Sequence, residues 1–169
     1  MKLKLLLVAF TLFLGVESIA QISVTAQSNA TVLAQYLAGQ NISVYNATLL
    51  GSSTQSGYFS YTGNMLETSS GVILSTGNVA DAVGPNNSEN TSSNMNQPGD
   101  AALTALAGYS TFDRVELRFD FQVQSDYIEF SYIFASEEYN EFVNTQFNDV
   151  FAFYISGPGI VGEKNLAVV

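Results

Sequence analysis

A mostly β chain is predicted, an antiparallel two-sheet β-sandwich of jelly-roll type with one or two short helices. Three observations predict it. From Val115 to Val123 the odd positions are Val, Leu, Phe, Phe and Val, and the even ones are Glu116, Arg118, Asp120 and Gln122. Such period-2 alternation puts one face of a strand in a core and the other in water. Ile128, Phe130, Tyr132 and Phe134 repeat the pattern after a turn at Gln124-Ser-Asp126. Short apolar or aromatic runs bounded by Gly, Pro, Asn and Ser recur along the rest of the chain, at a spacing that suits about seven to nine strands.

Taken in order, Ile22 to Ala26 reads as a first strand. Asn29 to Ala38 carries Val32, Leu33, Tyr36 and Leu37 at helical spacing, with Ser28 as the expected N-cap and Gly39 as the stop. Asn41 to Leu50 and Gly57 to Thr62 return to strand-like residues, and Gly71 to Gly77 suits a short buried strand. From Asn78 to Gly99 the composition shifts to Asn, Ser, Thr and Pro, which predicts a long loop, and loops of that length in a domain tend to be functional. Asp100 is placed to cap a short helix, Ala101 to Ala107, that Gly108 ends. Asp149 to Ile155 is a further strand, closed by Ser156-Gly-Pro-Gly159, where the glycines are turn formers. Asn165 to Val169 opens another apolar run in which the sequence stops, so the expectation is a single domain over 21–169, cut short at its C-terminal end and part of a longer polypeptide.

Residues 1–20 read as a secretory signal peptide. Lys2 and Lys4 supply the positive start, Leu5 to Val16 the apolar stretch, and Ser18-Ile19-Ala20 the small-x-small cleavage site. Twelve apolar residues are too few to span a bilayer, which takes about 20. The expected location is therefore secreted or cell-surface, with no transmembrane span. Five N-x-S/T sequons, at Asn29, Asn41, Asn46, Asn86 and Asn90, would be glycan acceptors in a eukaryote. Lack of Cys in a secreted domain favours a bacterial source instead.

Composition excludes much chemistry. Without His there is no imidazole base, Ser-His-Asp triad or His-ligated metal, and without Cys no disulfide, thiolate nucleophile or Cys-ligated metal. A formal net charge of −10 disfavours nucleic acid as a partner. What remains is carboxylate, amide, hydroxyl and backbone chemistry.

The acids cluster. Asp113, Glu116, Asp120, Asp126, Glu129, Glu137, Glu138, Glu141 and Asp149 fall within 37 positions. Glu116, Asp120 and Glu129 are the polar members of alternating pairs, so they read as solvated strand faces. Glu137, Glu138 and Asp149 sit at strand ends beside loops. With Asp81, Asn86, Asp100, Asp113 and Asn148 they form an all-oxygen donor set, the kind that Ca²⁺ takes. No EF-hand loop is present. As catalysts, Glu137 or Glu138 with Asp149 would be the pair for glycan hydrolysis. Phe119, Phe121, Phe130, Phe134, Phe151 and Phe153 read as core, whereas Tyr127, Tyr139, Phe142 and Phe147 flank polar loops, where core or rim packing is the favoured reading and stacking on a sugar the alternative.

The stretch Tyr132-Ile-Phe-Ala-Ser-Glu-Glu-Tyr139, with Glu141-Phe-Val143, Phe147-Asn-Asp-Val-Phe151 and Phe153-Tyr-Ile-Ser-Gly-Pro-Gly-Ile160, resembles the signature of the choice-of-anchor L domain. The Gly71 to Gly77 run, Gly84-Pro-Asn86, Gly99-Asp100 and Asp113 before the Val115 strand agree with it. The resemblance implies a module of secreted bacterial surface proteins, Bacteroidota among them, that carry varied sorting signals including those of type IX secretion. Its motif residues here are Ser136, Glu137, Glu138, Tyr139, Asn148 and Asp149. The functional expectation is a non-catalytic surface module for adhesion or ligand binding, stabilised by Ca²⁺, with an extracellular glycan or protein as partner. The alternatives are a carbohydrate-active enzyme or lectin using Glu137 or Glu138 with Asp149, and a ligand-free structural spacer.

Overall fold

The computed structural model describes residues 21–86, 88, 91–124, 126–136, 142 and 149–167. Expectations for residues 1–20 and for Glu137, Glu138, Tyr139, Phe147 and Asn148 lie outside them. The described chain runs β1 (Ile22–Ala26), α1 (Ala30–Ala38), β2 (Ser43–Leu50), β3 (Ser56–Tyr61) and β4 (Ser70–Leu74). A 3₁₀ turn (Val79–Val83), α2 (Ala101–Ala107), β5 (Glu116–Gln122), β6 (Tyr154–Ile155) and β7 (Lys164–Asn165) follow. It is mostly strand with two short α-helices, and every strand pair is antiparallel, as the alternation predicts. Among the described residues the strands hydrogen-bond as three sheets, β1-β3-β4, β2-β5 and β6-β7.

β3 is the centre of the first sheet, pairing Ile22 with Tyr61 on one side and Ser56 with Leu74 on the other. Gly57 is required there by close approach, because a Cβ would collide with the Thr25 carbonyl oxygen of β1. In the second sheet β2 lies along β5. Its register shifts between Tyr45 and Thr48, where Asn46 takes φ 49° and donates from Nδ2 to Asp120 Oδ2 at 2.7 Å. This is a β-bulge, and Asn tolerates the left-handed backbone such an extra residue demands. It also switches the phase of the strand. Val44 before it and Ala47 and Leu49 after it are the more covered residues. In β5, Leu117, Phe119 and Phe121 are partly covered, while Arg118, Asp120 and Gln122 are exposed.

Helix α1 packs on β2 and touches β4 and β5. It buries Leu33 and Ala34, with Val32 and Tyr36 nearly half exposed. Tyr36 instead tilts against Tyr58 of β3, with ring centroids 4.6 Å apart. The N-cap is Asn29, one residue later than expected at Ser28, and its Oδ1 accepts from Val32 N–H at 3.1 Å. Asn and Ser cap equally well, so their order along the chain cannot be settled by propensity. Gly39 and Gly108 end the two helices with positive φ, as read from the sequence.

The expected strand at Ile128–Phe134 does not form: no regular strand is assigned over 126–136. The expected strand Asp149–Ile155 is regular only at β6. Their rings nevertheless meet as neighbouring strands' would. Phe130 stacks on Phe153 at 4.1 Å, and Tyr132 and Phe134 lean on Phe151 at 5.3 and 6.3 Å. The alternation anticipated this side-chain contact, and the backbone ladder is what is missing. Phe130 and Phe153, with Leu37, Ile42, Phe119 and Phe121, line an apolar cleft of about 230 Å³ between these segments and the β2-β5 sheet.

Candidate functional site

The polar loop between β4 and β5 is built around a residue of no apparent promise in the sequence. Gln55 is 0% exposed. Its Oε1 accepts from Ser52 N–H at 2.6 Å, and its Nε2 donates to the carbonyls of Thr76 and Asp113, each at 3.0 Å. A buried amide with this many partners ties two remote segments to its own turn. One of them is Asp113, which holds φ 52°.

Asp113 in turn braces the Asn-rich loop. Its Oδ1 accepts from Gln97 N–H at 2.7 Å and its Oδ2 from Met95 N–H at 3.2 Å. The backbones add Asp113 N–H to Gln97 O at 3.0 Å, Arg114 N–H to Pro98 O at 3.2 Å, and a bridge between Pro98 and Phe112. Gly99 fits because a Cβ there would collide with the Thr111 carbonyl. Two residues before Met95, Ser93 Oγ donates to Asp81 Oδ2 at 2.8 Å.

Asp100 caps α2, its Oδ1 accepting from Ala102 N–H at 2.8 Å and Leu103 N–H at 3.0 Å. Its Oδ2 meets Arg114 Nη1 at 2.9 Å. The Leu103 N–H leads in holding this carboxyl below its usual value, joined by Arg114 and the Ala102 N–H, with desolvation opposing them. Arg114 also faces Glu116 at 3.8 Å, and Glu116 pairs with Arg118 at 3.0 Å.

Of the sequence-predicted site residues, then, Asp81 and Asp113 hold the same short stretch of the loop, Ser93 to Gln97, and Asp100 caps and pairs beside it. Asn86 is exposed in the same loop. Asp149 precedes β6 and is solvent-exposed, while desolvation by the protein around it raises its carboxyl. An exposed carboxylate keeps much of its hydration, which limits that rise. Among the described residues no three acidic side chains gather at one point. Glu137, Glu138 and Asn148 lie outside them.

Sequence reasoning missed the feature this bracing creates. Asn94, Asn96, Gln97, Pro98, Phe112 and Asp113 line an open cleft of about 320 Å³. Phe112 is 72% exposed at its wall. An exposed aromatic beside an amide-rich loop is visible in the sequence, but the 14 or more positions between Asn94, Pro98 and Phe112 hide their contact.

Among the described residues no helix is long and apolar enough to cross a membrane. No curated protein and no solved structure matches the chain. The family model of the choice-of-anchor L domain matches residues 20–169, nearly the whole sequence. The chain belongs to the choice-of-anchor L domain family, and with it to the domains of secreted and cell-surface proteins.

Proposed function

We propose that this domain is a non-catalytic binding or adhesion module of a secreted or cell-surface protein. The observation that carries the reading is the family match over residues 20–169. The chemistry of the acids supports it. Asp81, Asp100 and Asp113 are engaged with a hydroxyl, backbone N–H groups and a guanidinium, which are holding roles rather than proton-transfer roles. The test is adhesion of the purified mature domain to cells and to immobilised extracellular polymers, alongside a glycan-hydrolysis assay. Saturable adhesion without hydrolysis is expected. Hydrolysis lost in Glu138→Gln would replace this reading with that of an enzyme, and absence of any adhesion would leave a spacer.

Calcium belongs to the proposal in a narrowed form. With Asp81, Asp100 and Asp113 engaged, the donors for Ca²⁺ are Asp149 with Glu137, Glu138 and Asn148. Binding at a hundredfold excess over Kd stabilises by about 2.7 kcal/mol. For a domain of this size that raises Tm by roughly 5–10 °C. Thermal unfolding with Ca²⁺ and with EGTA reads this directly, and equal Tm values remove calcium from the reading.

A further inference from the structure

The cleft between the Asn94–Pro98 strap and Phe112 has the makings of a recognition site, and nothing in its chemistry is needed to hold the fold together at its open face. Asn96 and Asp113 both adopt left-handed backbone, φ 53° and 52°, on its two sides. Asn and Asp tolerate that region better than other non-glycine residues, and here the surrounding structure holds both in place. Both carboxylate oxygens of Asp113, the Gln97 and Pro98 carbonyls, and the buried Gln55 amide brace the strap to the Phe112 segment. A cleft braced in this way pays little ordering entropy when it binds.

Its lining narrows the ligand. No Lys or Arg is among the lining residues, so phosphate or sulfate would meet no cation. The lone carboxylate already accepts two N–H groups, which disfavours a metal ion. A single ring and a proline are too little apolar surface for a hydrophobic peptide anchor. What the cleft offers is one flat, exposed aromatic face and a row of side-chain amides. Among the described residues the Asn96 side chain and Asn94 Nδ2 make no hydrogen bond, and Asn94 Oδ1 takes only Asn96 N–H at 2.8 Å. An aromatic face stacks on the C–H face of a pyranose, and amides both donate to and accept from its hydroxyls.

We propose that this cleft is a binding subsite for a neutral saccharide, with Phe112 as the stacking platform, the Asn94 and Asn96 side chains as the main hydroxyl-reading groups and Gln97 adding only its Oε1, since its Nε2 donates to Met95 O at 3.3 Å. This rests on the reading of the domain as a binding module and assigns that module a ligand class and a place.

The test uses the mature chain and four defined probes: cellohexaose, maltohexaose, mannohexaose and the fully N-acetylated chitin hexamer. Binding is measured by calorimetry and by amide shift perturbation in ¹⁵N spectra. At least one probe is expected to bind and to shift the amides of Asn94, Asn96, Gln97 and Phe112. Phe112→Ala is expected to weaken that binding at least tenfold. Asn96→Gly, which keeps the left-handed backbone and removes only the amide, is expected to weaken it severalfold. Both variants should melt within a few degrees of the parent, since each alters an exposed side chain. Binding with shifts elsewhere and an unchanged affinity in both variants overturns the site while leaving a binding module. Adhesion to cells that survives with no probe bound overturns the saccharide and leaves the module. No probe binding and no adhesion overturns both this inference and the reading it rests on.

Discussion

Gln55→Leu should be the most informative single substitution in this domain. Leucine is close to glutamine in size, slightly larger and branched, so at this fully buried site no cavity is left and only modest repacking is added. What is lost is the three hydrogen bonds to Ser52 N–H, Thr76 O and Asp113 O. Leaving a buried donor or acceptor without a partner costs about 1–3 kcal/mol. Carbonyls retain a second lone pair and Ser52 is only half-buried, so the low end applies to all three, and the sum is about 3 kcal/mol. At roughly 2–4 °C per kcal/mol for a domain of this size, Tm should fall by about 6–12 °C in a calorimetric scan. Releasing the Asp113 carbonyl should also loosen the strap that its carboxylate holds. Amide exchange at Met95 and Gln97 should therefore speed up more than exchange in β3 beyond Tyr58. A Tm within about 2 °C of the parent, or uniform acceleration of exchange, would refute the idea that this amide braces the loop.

Two further outcomes follow from the same hydrogen-bond network. Asp100→Ala removes both the α2 cap and the Arg114 partner and should cost about 1–2 kcal/mol by chemical denaturation. Because the folded-state carboxyl is held below its unfolded value, its contribution is present above about pH 4 and is lost as pH falls through the folded value. The Ala variant should therefore lose less stability than the parent between pH 4 and pH 2, and parallel pH profiles would contradict this. Gly57→Ala drives a methyl into the Thr25 carbonyl at the β1-β3 pairing and should destabilise by on the order of 2 kcal/mol. Weakened protection confined to β1 in exchange measurements would identify that contact as the cause.

How much was legible in the sequence differs by element. α2 was placed to the residue because its signals are local: Asp100 accepts from N–H groups two and three residues on, and Gly108 supplies φ 80° at its end. The β5 alternation is equally local, and its faces emerged as read. The strand expected over Ile128–Phe134 shows the limit of such signals. Period-2 hydrophobicity reports which side chains share a face, and those rings do meet Phe151 and Phe153. It does not report whether the backbone closes a ladder.

The candidate acids divide along the same line. Their residue type limits them to oxygen chemistry, and the absence of His and Cys limits the whole domain in the same way. Apart from the local capping role of Asp100, the partners each carboxylate takes were decided by groups a dozen or more positions away. Asp113 holds Met95 and Gln97, Asp81 holds Ser93, and Asp100 holds Arg114. The Phe112 cleft and its buried anchor Gln55 were illegible for that reason. Sequence by itself determined the mostly β class, the cap of α2, the glycine stops of both helices, and the family. Tertiary structure alone decided which polar groups became partners, because a hydrogen bond between residues 58 positions apart depends on where the chain folds and leaves no periodic trace in its composition.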